Sequence, residues 1–184
     1  MENKIADFWQ WFTDNEADFY KMELLGDRQE ELFELLSNEL HKLSEHISFE
    51  FSSLREDGKR EFVMTANGMK EVFPIIFQLY ETSPLLPNWI MVPLKPRLGQ
   101  EVKLGIGGKE FGFEDIFFET WPSEEKLDLK VYLRCDLPED PLPQIGFIML
   151  DVILGEFDVA TKIGHLAFLH LKEEQIPSLK AFKE

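Results

Sequence analysis

Asp115, Asp128 and Lys130 come nearest, in residue type and spacing, to a catalytic set. An acid followed by a strand that carries acid-x-lysine on one face resembles the way nucleases hold a divalent metal and a lysine. Two carboxylates bind Mg²⁺, and the lysine steadies the charge of the attacked phosphate. That chemistry would make the chain a hydrolase, in particular a metal-dependent phosphodiesterase. Against it, opposite charges alternate on any solvated strand face. The chain also carries 35 acids against 19 bases, a net charge of −16, which repels a DNA substrate.

Other patterns are weaker. "GIGGKEFG" places Lys103 where a phosphate-binding loop needs its first glycine, and Glu110 where it needs Ser or Thr. Glu110 also holds the last glycine position of the dinucleotide pattern, so a tight hairpin turn at Gly107–Gly108 accounts for the glycines. His165 and His170 are five apart on a strand, and His41 and His46 five apart on a predicted helix, so neither pair chelates one ion alone. Cys135 is the only cysteine, which allows no internal disulfide and no zinc cluster. No metal site and no cofactor are assigned.

The second chemical candidate is Asp151, an acid inside the apolar run "FIMLDVILGEF". Burying an isolated carboxylate is costly, so it gains a partner or a proton. Arg97, in "PLKPRLG", is a cation in an apolar setting and can give a carboxylate two parallel hydrogen bonds. The expectation is a buried Asp151–Arg97 clamp on a core helix. An acid-based hydrolytic site at the same edge, with Glu156, is the functional alternative. Glu156 and Asp158 follow Gly155 and read as a solvated connection.

The stretches "ANGMKEVFPIIFQLYETSPLLPNWIMVPLKPRLG" and "FIMLDVILGEFDVATKIG", with "FWQWF" near the start, resemble a family of uncharacterised bacterial cytosolic proteins. Its pattern is a helix after Ala/Asn-Gly, a Trp strand ending in Pro-Arg, then Leu-Asp-x-x-Leu-Gly-Glu. The resemblance runs from Trp9 to about Gly164 and carries no activity. It implies that these motifs travel together, which suits a coupled Arg97–Asp151–Glu156 region.

These residues must be positioned by a mixed set of elements. Ile5, Phe8, Trp9, Phe12, Phe19 and Tyr20 mark a first helix, with a restart at the capping-box spacing Thr13–Glu16. Asp27 caps a second, whose face is Leu32, Leu36, Leu40 and Leu43. "ISFEFSSL" and "REFVMTA" form a hairpin across Asp57–Gly58, and a third helix starts near Met69, with Pro74 either in its first turn or kinking it. "NWIMVPL" is an edge strand because Pro93 and Pro96 cannot donate to a ladder. Four further strands follow, the glycine hairpin and then the pair "DIFFETW" and "KLDLKVYLRC", the last with Leu127, Leu129, Val131 and Leu133 facing in and Asp128, Lys130, Tyr132 and Arg134 facing out. After the loop "DLPEDPLP" come a helix entered at Pro143 and ended by Gly155, with a buried strand the alternative for "GFIMLDVIL", and a final strand, "IGHLAFLHL".

The order predicts one α+β domain over residues 1–184, with N-terminal helices over 1–46. A largely antiparallel mixed sheet with two packed helices spans 47–171, helices mainly on one face. "MENKIADFWQWF" lacks the basic start and apolar run of a signal peptide, and no apolar run is long enough for a membrane span. The expectation is a cytoplasmic, non-enzymatic interaction domain, immunity-like or inhibitory. Its partner would be a basic protein, with neither nucleic acid nor membrane engaged.

Overall fold

The computed structural model describes residues 2–26, 28–99, 103–106, 109–123, 125–134, 142–172 and 180–181. The fold class is α+β, and most strand pairs are antiparallel. The chain packs as two compact units, Met1–Lys95 and Pro96–Glu184. Where one sheet was expected, the described strands divide among three.

In the first unit, α1 (Glu2–Tyr20) buries Ile5, Phe8, Trp9, Phe12 and Phe19, the stripe expected from helical spacing. The expected restart at Thr13 does not occur. The Thr13 hydroxyl instead donates to the Trp9 carbonyl at 2.7 Å, a back-bond that leaves the helix continuous. α2 (Arg28–His41) buries Leu32, Leu36 and Leu40 and stops before His46; its expected cap, Asp27, lies outside the described residues. β1 (Ser48–Phe51) and β2 (Arg60–Thr65) form the expected antiparallel hairpin. α3 (Phe73–Glu81) has its proline in the first turn, where a missing N–H costs nothing. It carries the chain across to β3 (Trp89–Pro93), which pairs parallel to β2 and lies at the sheet edge. Aromatic rings run through the centre of the core. Phe12 stacks on Phe62 with centroids 4.9 Å apart and meets Trp89 edge-on at 5.4 Å. Such pairs contribute roughly 0.5–1.5 kcal/mol each beyond their buried area.

In the second unit, β4 (Leu104–Ile106) and β5 (Lys109–Phe111) form the glycine hairpin; Gly107 and Gly108 lie outside the described residues. β6 (Ile116–Ser123) and β7 (Lys126–Leu133) pair antiparallel along their full length. Cys135 and most of the proline-rich loop lie outside the described residues. "GFIMLDVIL" is helical, within α4 (Leu142–Leu154). α5 (Glu156–Lys162) follows, then β8 (Ile163–His170), which pairs parallel to β7. β9 (Lys180–Ala181) completes the order β8-β7-β6-β9. Ile116, Leu129, Val131 and Leu133 pack with Ile145, Met149, Leu150 and Ile153 of α4 in one core.

α5 replaces the expected solvated connection. Gly155, at φ 82°, ends α4 by donating to the Asp151 carbonyl at 2.8 Å. Its own carbonyl accepts the Val159 N–H, so the same glycine starts the next helix.

Candidate functional site

The structure does not bring the acid–acid–lysine set together. Asp115 closes a 3₁₀ turn, its Oδ2 accepting the Gly112 N–H at 3.1 Å, and its carbonyl accepts the Arg134 N–H at 2.8 Å. Asp128 lies opposite Trp121, six residues back along β7 from Arg134. At a strand rise of roughly 3.3 Å per residue the two acids stand about 20 Å apart, too far to share one ion. Lys130 faces Glu119 across the ladder, and its Nζ lies 5.3 Å from the centre of the Trp121 ring.

Asp128 is buried and Leu127 is 38% exposed, the reverse of the expected alternation. The cause is a bulge. Between Leu127 and Leu129 the register advances two residues on β7 and three on β8, from Ile163 to Leu166. The extra residue leaves one backbone donor without a ladder acceptor. Asp128 Oδ1 fills that role, accepting the His165 N–H at 2.7 Å. A Cβ on Gly164 would collide with the same oxygen, so glycine is required there. Tyr132, also expected to face out, is buried; its hydroxyl donates to Glu119 Oε2 at 2.9 Å. Burial raises its pKa above 10.0, helped by the hydrogen bond to Glu119 and by that carboxylate's charge.

The Arg97–Asp151 clamp is corrected too. Arg97 is exposed, Asp151 is half-buried, and among the described residues no ion pair joins them. Asp151 is engaged in an interaction of its own. The clamp rested on the apolar neighbours of Asp151 all being buried. Instead Phe147 and Ile148 are 48% and 45% exposed, and Asp151 shares their outer stripe. The segment after Arg97 does reach α4, but through backbone: the Leu98 N–H donates to the Val152 carbonyl at 2.8 Å. Glu156, expected in a solvated loop, is fully buried in the first turn of α5. Asp158 pairs with Lys162 at 2.8 Å, one turn along the same helix.

The most buried cation among the described residues was not anticipated. Arg60 opens β2 and is 1% exposed. Its guanidinium donates to the Ser52 carbonyl at 2.6 Å, the Tyr20 carbonyl at 3.1 Å and Glu23 Oε2 at 2.7 Å. It also lies over the Tyr20 ring, while among the described residues Nε has no partner. The hydrogen bond from Arg60 holds the Glu23 carboxyl below its ordinary 4.5. Nearby, the Trp89 indole donates to Glu16 Oε2 at 2.6 Å. Nothing in "DGKREF" signals a buried arginine, because its partners come from the end of α1, the turn after it and the segment that follows β1.

Charge is unevenly spread. Residues 2–41 hold 11 acids and 3 bases, a net charge of −8, half that of the whole chain. Asp7, Asp14 and Asp18 on α1 and Glu30, Glu31 and Glu34 on α2 are exposed. Among the described residues no three His, Cys, Asp or Glu side chains gather to hold a metal ion, and no helix is long and apolar enough to cross a membrane. Compared with family models, curated proteins and solved structures, the chain finds no match.

Proposed function

We propose that the chain is a cytosolic binding protein, not an enzyme, and that the acidic helices of its first unit take a basic protein partner in an inhibitory or immunity-like role. The observation that carries this is the concentration of half the net charge in residues 2–41, with seven acids exposed on α1 and α2. A field of one sign steers an oppositely charged protein and speeds its association. The same field opposes a phosphate-bearing substrate. A phosphodiesterase built on Asp115, Asp128 and Lys130 would need side chains that lie at opposite ends of β7.

The test is retention of protein from a cell extract on the immobilised chain, with and without Glu30→Lys, Glu31→Lys and Glu34→Lys together. A basic protein held at low salt by the wild type, and lost both at high salt and on the triple variant, is the expected result. Retention that the triple variant leaves unchanged would move the face elsewhere, and no retention at low salt would sink the reading.

A further inference from the structure

We infer that the outer edge of β8 is the seam at which two copies of this chain pair, antiparallel, about a two-fold axis at Ala167. Among the described residues β8 pairs on one side only, with β7. It is eight residues long and contains no Pro, Asp, Glu, Lys or Arg. Proline and charge normally blunt a sheet edge, and the one bulge of β8 lies before Leu166. β3 holds the same place in the first unit's sheet, and there the edge is five residues long and ends in Pro93.

The ladder fixes which groups are offered. The Leu171 N–H donates to the Leu133 carbonyl of β7. By strand alternation Ala167 and Leu169 also turn their backbone groups toward β7, while Leu166 and Phe168 turn theirs outward. A second copy running antiparallel pairs Leu166 with its Phe168, and Phe168 with its Leu166. Four N–H···O bonds form, and the two Ala167 residues face each other across the axis without bonds. Such a pair is self-complementary, as a two-fold interface must be.

Side chains favour the same occupant. Phe147 of α4 meets Phe168 with ring centroids 5.0 Å apart, and Phe147 and Ile148 remain about half exposed beside the strand. Leu169 is 39% exposed on the other face. Apolar surface therefore flanks the edge on both sides, in a chain of net charge −16. A charged partner gains nothing at such a strip. Another copy meets little repulsion there: the strand itself carries no fixed charge, its neighbour Lys130 on β7 is a cation in an acidic chain, and charges farther than about 10 Å away are screened at ordinary salt.

Sedimentation equilibrium of the full chain tests this, alongside a crosslink. The wild type should form dimers whose fraction rises as salt is added, because screening relieves repulsion between acidic copies. That is the opposite salt dependence to binding of a basic partner, so the two proposals fail separately. Ala167→Lys sets two cations face to face on an exposed position without touching the core, and should leave only monomer. In a Cys135→Ser background, Ala167→Cys should crosslink on air oxidation, since facing Cα atoms about 4.5 Å apart lie within disulfide reach. A wild type that stays monomeric at high salt and high protein concentration overturns the inference. So does an Ala167→Lys dimer like the wild type, or an Ala167→Cys chain that does not crosslink.

Discussion

The two units build one topology twice. In each, an antiparallel hairpin is followed by a helical crossover and a third strand parallel to the second: β1-β2-α3-β3, then β6-β7-α4-α5-β8. Each also buries one charge on its central strand, Arg60 on β2 and Asp128 on β7. The two charges are satisfied differently. Arg60 takes two carbonyls and an exposed carboxylate, whereas Asp128 takes a single backbone N–H at a bulge. A guanidinium can tie several segments together because it has five donors in a fixed fork. A carboxylate beside a bulge repairs one local defect. Loss of Arg60 should therefore be felt across its unit, and loss of Asp128 mainly at one corner.

Arg60→Ala should give the largest effect. It leaves the Tyr20 and Ser52 carbonyls without their donor and a hole against the Tyr20 ring, at a cost of about 3–5 kcal/mol in urea denaturation. A cost below about 1 kcal/mol would erase the contrast with Asp128. Next comes Gly164→Ala, which forces a methyl against Asp128 and should cost about 1–3 kcal/mol. Most of that cost should vanish in an Asp128→Ala background, where the obstructing oxygen is gone; additivity of the two changes would show that the bulge and the carboxylate are independent. Asp128→Asn keeps an oxygen for the His165 N–H but removes the charge, and should cost about 1–2 kcal/mol.

The smallest effects depend on pH, and they fall at opposite ends of the scale. Glu23 is held below 4.5, so its contribution is complete above that value and is lost as pH falls through its folded pKa. Its side chain is 56% exposed, which keeps the gap between wild type and Glu23→Gln under about 1 kcal/mol. Tyr132 is held above 10.0, so its contribution is complete below that value and fades as pH rises through its folded pKa. Urea midpoints of wild type against Glu23→Gln in acid, and against Tyr132→Phe in alkali, should show the two gaps closing at opposite extremes. A Glu23→Gln gap that does not change in acid would remove the Arg60 bond from the account.

Much of this architecture was legible in the sequence, and its limits are physical. The helical stripe from Ile5 to Phe19 and the alternation in "ISFEFSSL" each report a face that one element presents to a core. The proline in the first turn of α3 and the edge position of β3 follow from the missing N–H. Arg60 and Asp128 could not be read this way. A buried charge is permitted by partners brought from elsewhere in the chain, and periodicity within one strand is blind to them. One signal was available: Gly164, inside an otherwise apolar strand, marks a bulge or a close approach. α5 was hidden because Gly155 looked only like a helix end, when it also begins the next helix. The clamp at Asp151 failed from assuming that apolar residues on a helix must all be covered.

Parallel pairing of β7 with β8 also orders events in time. Two parallel neighbours cannot be joined by a tight turn, so β8 has no partner until the whole stretch from Arg134 to Lys162 has been laid down and α4 has docked. The β6–β7 hairpin needs only a short turn and can close within microseconds. β8 then arrives last, and the Asp128 carboxylate receives the His165 N–H at the moment of closure. During refolding, amide protection should therefore appear at Tyr132 of β7, whose N–H faces β6, before it appears at Leu169. Until then the uncharged strand is the segment most open to pairing with the wrong chain.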